Sequence, residues 1–235
     1  MGTDSPSVPV TVADALPNLR TGRLARGDDL TNNRPAMHLL AERRAYRRQH
    51  FASLVRGRLR GRYDPQHRAL SRRIAGARAS ARELWDLVAQ RPVWRVIHSV
   101  RSEPPAPAPG QRPTANSGQT VGPLELDQLV IGPAGVFIVQ AVYRPTQDVT
   151  ADAARDAARR TQEILGRATR VPITVQALIV FVRADQPRVV GPRDDVEVLT
   201  ADELVPWLES RRPMLTEREL EVVHLAARDH RTWAA

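Results

Sequence analysis

Two acidic side chains near the middle of the chain have the spacing of ligands on one β-strand. Glu125 and Asp127 are two residues apart in an aliphatic stretch, and the two-residue repeat of a strand would place both carboxylates on one face. A second aliphatic stretch follows, where the same repeat places Gln140 and Arg144 on one face. Carboxylate and amide oxygens are hard ligands that suit Mg²⁺ or Mn²⁺. Metal-dependent chemistry at phosphate, with Arg144 as a phosphate contact, is therefore one hypothesis.

Missing residue types exclude several other chemistries. The 235 residues include no cysteine, and all 35 residues counted as lysine or arginine are arginine. Without cysteine there is no disulfide, thiolate nucleophile or Cys-based zinc site. Without lysine there is no lysine base or Schiff base, and arginine is too basic to act as a general base. The sequence also contains no Gly-rich phosphate loop, nucleophile elbow or His-Glu-x-x-His motif.

Positive charge is concentrated between residues 43 and 82. This segment holds 13 arginines and one acidic residue, Asp64. Such a segment favours a polyanionic partner through phosphate neutralisation and counterion release, and DNA is favoured over RNA. The alternative is a solvated helical arm. The residues assigned to nucleic-acid contact are Arg43, Arg44, Arg47, Arg48, Arg56, Arg58, Arg60 and Arg62, together with Arg144.

The N-terminal half divides into a tail, helices and a loop. Residues 1–35 are rich in proline and lack periodicity, which predicts a disordered tail. Residues 36–65 have apolar positions at three- and four-residue steps between arginines, which predicts one basic amphipathic helix. A second helix is predicted for residues 66–89 and a strand for 93–100. The Pro- and Gly-rich stretch 102–123 predicts a flexible loop.

The C-terminal half has the element order of an α/β domain. Residues 124–131 and 136–143 are rich in aliphatic residues and flank Gly-Pro-Ala-Gly, which predicts a hairpin with a four-residue turn. Further elements are a helix at 150–168, strands at 173–183 and 196–199, a helix capped by Thr200, and a last helix whose capping box is Thr216 and Glu219. We therefore predict that residues 66–235 form a mixed central sheet flanked by helices, with the basic helix as an N-terminal extension.

The chain lacks the features of a membrane-spanning or secreted protein. No stretch approaches the roughly 20 apolar residues of a spanning helix, and the N-terminus has no signal-peptide pattern. We therefore expect a soluble, cytoplasmic protein.

The segment from Leu126 to Val139, LDQLVIGPAGVFIV, resembles the core signature of the nuclease-related domain (NERD) family. Similar blocks occur at Trp94–His98, Ile179–Val182, Thr200–Leu204 and Arg231–Trp233. With the helix from Gly76 included, the resemblance covers about 160 residues. It implies a restriction-endonuclease-like core related to the PD-(D/E)xK nucleases. In those enzymes carboxylates from two adjacent strands bind Mg²⁺, and a lysine helps to activate water.

The same resemblance implies that most catalytic positions have been replaced. It places the first acidic residue at Asp127, the second at Gln140 and the lysine at Val142. The glutamate of the preceding helix aligns with Arg78 or Ser80. Asp127 and Gln140 are thus the candidate catalytic residues of a degenerate site.

Three hypotheses follow for the function. We predict a pseudoenzyme, a catalytically degenerate nuclease-fold module that binds nucleic acid. The first alternative is a weak metal-dependent DNA or RNA endonuclease that uses Asp127, with Mg²⁺ or Mn²⁺ held by Glu125 and Asp127. The second is a non-enzymatic module whose basic helix packs on a protein partner or lies on anionic lipid.

Overall fold

The structure is a computed structural model that describes residues 22–59, 63–102, 123–144, 149–183, 189–190 and 195–234. The predicted loop at 102–123 falls outside these residues except at its two ends, as do residues 1–21 of the predicted tail. Arg60 and Arg62, both assigned to nucleic-acid contact, also lie outside the described residues.

The described part of the chain contains six α-helices and seven strands. The helices are α1 (Met37–Gln49), α2 (Phe51–Leu59), α3 (Pro65–Gln90), α4 (Asp152–Thr169), α5 (Leu204–Ser210) and α6 (Glu217–Arg228). The strands are β1 (Arg95–Ser102), β2 (Leu124–Gly132), β3 (Gly135–Tyr143), β4 (Val149–Thr150), β5 (Val175–Val182), β6 (Val189–Val190) and β7 (Val196–Thr200).

A five-stranded mixed sheet is the centre of the domain, in the order β1-β2-β3-β5-β7. Strands β1, β2 and β3 are antiparallel neighbours, whereas β5 and β7 continue the sheet in parallel with β3. The short strands β4 and β6 pair separately. The predicted fold class, α/β with a mixed central sheet flanked by helices, is confirmed.

The β2–β3 hairpin depends on its two glycines. Gly132 pairs directly with Gly135, so the turn consists of Pro133 and Ala134 and is shorter than the predicted four residues. A Cβ on Gly132 would lie 2.1 Å from the Trp94 ring, and Gly135 has a φ of 127°, which residues with a side chain rarely adopt. The close approach of the Trp94 ring and the tight turn therefore each require glycine.

Helices cover both faces of the sheet. On one face Leu84 and Leu87 of α3 pack with Phe137 and Leu178. The opposite face packs against α4 and α6, through a core that includes Leu129, Ile138, Leu165, Ile179 and Val223. This two-sided burial explains why β3 and β5 read as nearly continuous apolar runs. Among the described residues, no helix combines the length and apolar character needed to cross a membrane.

The prediction of a disordered tail is wrong for residues 22–35. Leu24 and Leu30 are buried, and Leu30 belongs to the core cluster beneath α4 and α6. Asp29 forms a β-bridge with Asp229 near the other end of the chain. The buried side chains and the bridge hold this segment on the domain. Contacts of this kind leave no periodic pattern in the sequence.

The single basic helix predicted for residues 36–65 is instead two helices. The break falls at His50, whose backbone is non-helical, while its N–H donates to the carbonyl of Tyr46. The predicted helix end near Pro65 coincides with the start of α3. Asp64 caps α3 by accepting the His67 N–H at 2.8 Å. Tyr46 donates its hydroxyl to the same carboxylate at 2.9 Å, which joins α1 to the start of α3.

Two helix N-caps were predicted in the C-terminal half of the chain, and one of them is confirmed. The capping box of Thr216 and Glu219 is confirmed at the start of α6. Thr200 does not cap α5, which begins at Leu204 with Glu203 as its N-cap. Thr200 instead donates its N–H and hydroxyl to the Glu203 carboxylate, each at 2.8 Å. A short turn therefore separates β7 from α5.

Candidate functional site

A cleft forms where β2 and β3 separate. The two strands pair from their turn as far as Gln128 and Val139. Beyond that point β2 stays paired with β1 as far as Leu124, and β3 stays paired with β5 as far as Tyr143. The sheet therefore divides like a fork, and the opening forms a cleft of about 420 Å³.

The cleft brings together the site residues named from the sequence. Glu125 and Asp127 line it from β2, while Gln140 and Arg144 line it from the β3 side. The helices add Arg72 and Arg73 of α3 and Ala153 and Ala157 of α4. Leu126 and Ala141, which lie between the residues of the two-residue repeat, line the cleft as well. The α3 arginines come from a helix more than 50 residues earlier in the chain.

Asp127 bridges the base of the fork. Its Oδ2 atom accepts the Ala141 N–H of the opposite strand at 3.4 Å. Burial raises the pKa of Asp127 to about 6, although Arg73 and the Ala141 N–H both act to lower it. Loss of hydration is thus the larger effect. Near neutral pH this carboxyl is ionised at a cost in free energy.

Glu125 lies between two arginines. Its Oε2 atom is 3.7 Å from Arg73 Nη2, and its Oε1 atom is 3.5 Å from Arg101 Nε. Arg101 is held there by the register of the sheet, because it pairs directly with Glu125 across β1 and β2. The side chain of Glu125 retains 28% of its exposure, so its charge is balanced by arginine while it still faces water.

This set of donors does not suit a resident divalent cation. The described residues contain no group of three or more His, Asp or Glu side chains arranged to hold a metal. Arg73 and Arg101 would repel a cation at Glu125, and the Ala141 N–H already occupies Oδ2 of Asp127. Gln140 adds at most one neutral oxygen. Among the described residues the cleft therefore offers a divalent cation few suitable ligands.

A neutral hydrogen-bonded pair lies between α3 and β2. Ser80 is fully buried and donates to Oε1 of Gln128 at 3.0 Å, while Gln128 donates from Nε2 to the Ala77 carbonyl at 2.7 Å. Arg78, the other candidate for the family's glutamate position, is exposed. Of these two aligned residues, Ser80 is the one on the face of α3 that packs against the sheet. Sequence reasoning missed this pair, although a polar residue within an aliphatic strand was the available signal.

His38 of α1 is another residue that sequence reasoning missed. Both ring nitrogens are buried without a hydrogen-bond partner among the described residues. Burial lowers the pKa of His38; nearby Glu125 raises it, and Arg73 and Arg101 lower it further. The ring is therefore neutral and lies within the electrostatic reach of the cleft. No spacing motif marks a lone histidine of this kind.

The α1–α2 surface carries the arginines assigned to nucleic acid that the structure describes. Arg44, Arg47, Arg48, Arg56 and Arg58 are exposed, and Arg43 is half-buried. No acidic residue of the described ranges forms an ion pair with any of these six.

The α1–α2 surface leads toward the cleft along α3. A depression lined by Arg43, Arg47 and Arg58 reaches His67, and the wall of the cleft begins two residues later at Ala69. The first turns of α3 therefore connect the two regions.

Comparisons with protein-family models, with curated proteins and with solved structures find no match for this chain. The resemblance to the nuclease-related domain therefore rests on its sequence blocks alone. Function has to be inferred from the geometry of the cleft and of the basic surface.

Proposed function

We propose that this chain is a nucleic-acid-binding module with a nuclease-like cleft that does not cut. One observation carries the proposal. The cleft has carboxylates at the positions expected of a metal site, but arginine or a backbone N–H occupies them. Unpaired arginines lie on the adjoining α1–α2 surface. Such a molecule offers positive charge to a phosphate backbone, and its described residues contain no group of acidic or histidine side chains that could hold a metal for hydrolysis.

Binding is assigned to the arginines of α1 and α2. Among the described residues these guanidinium groups face solvent without acidic partners, so contact with phosphate would not first require an internal ion pair to break. Guanidinium groups also match phosphate oxygens with two parallel hydrogen bonds. Arg72, Arg73 and Arg144 extend the positive charge into the cleft.

Loss of catalysis is inferred from the cleft. Hydrolysis of a phosphodiester by this class of site needs a metal held by several oxygens and a group that activates water. Gln140 and Val142 stand where the family resemblance implies an acid and a lysine. Val142 packs against the apolar core on the α4 face and has no polar atom to offer in its side chain.

The family resemblance gives further support. The segment LDQLVIGPAGVFIV contains the whole paired part of the β2–β3 hairpin, and its second residue, Asp127, lies just beyond the last pair, Gln128 with Val139. Gly76, in the helix block of the resemblance, lies against β3, where an added Cβ would be 3.0 Å from the Ala141 carbonyl oxygen. The motif residues thus surround the fork that forms the cleft.

One gel assay tests both halves of the proposal. The purified chain and its Asp127→Ala variant are incubated with supercoiled plasmid in Mg²⁺, Mn²⁺ or EDTA. We expect reduced plasmid mobility in all three conditions, without nicking. Nicking that disappears both in EDTA and in Asp127→Ala would replace the proposal with the metal-dependent endonuclease. Unchanged plasmid mobility would contradict the proposed binding of nucleic acid.

A charge variant tests the assigned surface. Replacing Arg43, Arg44, Arg47 and Arg48 with Gln should weaken DNA binding and reduce the slope of log K against log salt by about 3 to 4, since each phosphate contact contributes about 0.9. The matched control replaces Arg26, Arg167, Arg212 and Arg218, four exposed arginines outside the segment. Equal losses in the two variants would show a response to net charge alone and contradict the assignment.

A further inference from the structure

Helix α2 has an apolar stripe that nothing in the described structure covers. Phe51, Val55 and Leu59 follow one another at four-residue steps and retain 65%, 44% and 83% of their exposure. No residue of α2 is buried. A nine-residue helix is marginal on its own in water, so a helix with an exposed apolar stripe and no buried residue would be stabilised by an external apolar layer.

Arginines border this stripe on both sides. At ~100° per residue, the three apolar side chains span one narrow sector of the helix. Arg58 then falls just beyond Phe51, and Arg56 just beyond Leu59. Arg47 and Arg48 lie one turn before Phe51 in α1, and Phe51 shares a depression with both. The α2 surface therefore consists of an apolar strip with a positive border and, among the described residues, no acidic side chain within the helix.

We propose that α2 lies flat on an anionic lipid bilayer, with Phe51, Val55 and Leu59 below the headgroups and the arginines at the phosphates. The charge and the apolar stripe together select this occupant. Nucleic acid would satisfy the arginines but leave three apolar side chains in water. A bilayer with acidic headgroups supplies both an apolar layer and negative charge.

The shape of the region also favours a bilayer over a shaped protein partner. The stripe lies on a single short helix. Phe51 and Val55 line a depression with α1 and the start of α3, and Leu59 lies outside that depression at 83% exposure. A protein partner would need a groove that fits this helix, whereas lipid conforms to it. Tyr63, which is 69% exposed, lies just before α3 and suits the headgroup region.

Vesicle sedimentation with the full chain tests the proposal. The probes are vesicles of phosphatidylcholine alone and of phosphatidylcholine with phosphatidylglycerol at about 2:1. We expect binding to be at least about tenfold stronger on the anionic vesicles. The Phe51→Ser, Val55→Ser, Leu59→Ser variant should lose about tenfold or more of that affinity. Arg56→Gln with Arg58→Gln should also lose about tenfold and reduce the salt dependence.

A matched control replaces three exposed apolar residues outside α2. Trp85, Val190 and Met214 are 73%, 52% and 74% exposed, and their change to Ser should leave vesicle binding unaltered. The proposal fails if the α2 variant binds like the wild type, if both vesicle types bind equally, or if neither binds. It also fails if the α2 variant melts at a lower temperature than the control without vesicles, since the stripe would then be covered by the chain itself.

The same variants separate this inference from the proposed function. The α2 serine variant keeps every arginine, so its affinity for DNA should stay at the wild-type value. A wild-type dimer that the α2 variant dissolves would identify a second copy of the chain as the occupant and overturn the lipid assignment. Loss of vesicle binding with retained DNA binding in that variant is the expected combination.

Discussion

The cleft and the α1–α2 surface both contain many arginines but use them in opposite ways. At the cleft, Arg73 and Arg101 each form an ion pair with the same carboxylate, that of Glu125. On α1 and α2 the arginines face solvent and lack acidic partners among the described residues. The comparison separates a shaped pocket, in which carboxylates pair with arginine, from a surface on which arginines have no ion-pair partner among the described residues.

The largest change in the free energy of unfolding is expected at the buried pair of Ser80 and Gln128. Gln128→Ala should lower the free energy of unfolding by about 3 to 4 kcal/mol, because it removes buried volume and deprives Ser80 and the Ala77 carbonyl of a partner. Ser80→Ala should cost less, about 1 kcal/mol. Urea denaturation measures both. If Gln128→Ala were neutral, the cleft would lack the rigid base that distinguishes it from the α1–α2 surface.

Acid should destabilise the folded core through two buried histidines, His98 of β1 and His224 of α6. Burial lowers the pKa of His98 to about 4, and burial together with Arg95 and Arg228 lowers the pKa of His224 to about 4. The unfolded chain therefore binds protons at a higher pH than the folded chain. Stability is fully present above pH of about 6.5, and each of the two histidines should lower it by about 2 to 3 kcal/mol as the pH decreases toward 4.

Melting curves across that pH range test the histidine assignment. The His98→Gln variant should show a shallower loss of stability than the wild type. An unchanged pH profile in the variant would show that His98 does not carry the acid response.

Asp127 should reduce stability at neutral pH. Its pKa is raised to about 6 by burial, so the folded chain favours the protonated form and ionisation costs free energy as the pH rises from about 4 to 6. Asp127→Asn should raise the free energy of unfolding at pH 7 by about 1 to 2 kcal/mol, since the amide oxygen can still accept the Ala141 N–H. The difference should vanish near pH 4. Destabilisation at pH 7 would show instead that the carboxylate is a stabilising contact.

The smallest effect on stability is expected on the α1–α2 surface. Arg44→Gln with Arg48→Gln should change the free energy of unfolding by no more than about 0.5 kcal/mol, because exposed side chains without partners contribute little. The same pair should still reduce DNA affinity. A large loss of stability would show that these arginines have structural partners, and the contrast with the cleft would disappear.

Periodicity was sufficient to predict most of the fold. The aliphatic runs predicted β2, β3 and β5, and the spacing of Leu70, Ile74, Ala77 and Leu84 predicted α3. The capping box was also readable, because Thr216 and Glu219 are close in sequence. The break between α1 and α2 at His50 could not be predicted, since no glycine or proline marks it. The packing of Leu24 and Leu30 depends on distant surfaces that no local pattern contains.

The candidate cleft was predictable in its strands but not in its surroundings. The two-residue repeat of a strand put Glu125 and Asp127 on one face, and both line the cleft, as does Leu126 between them. The fork opens where β2–β3 pairing ends, at Gln128 and Val139. Beyond that point β2 stays paired with β1 and β3 with β5, and no local sequence pattern marks this separation. The approach of Arg73 and His38 depends on helix packing. These tertiary features determine whether the carboxylates are available to a ligand.

The two ends of the described chain are clasped together. The His230 N–H donates to the Asp28 carbonyl at 2.9 Å, and Arg228 Nη2 donates to the Gly22 carbonyl at 2.7 Å. A pulling force applied through both ends would load this clasp before it reached the central sheet. Tags or fluorophores fused before residue 22 and after residue 234 would start from neighbouring points on the surface. Energy transfer between two such fluorophores would report on opening of the clasp.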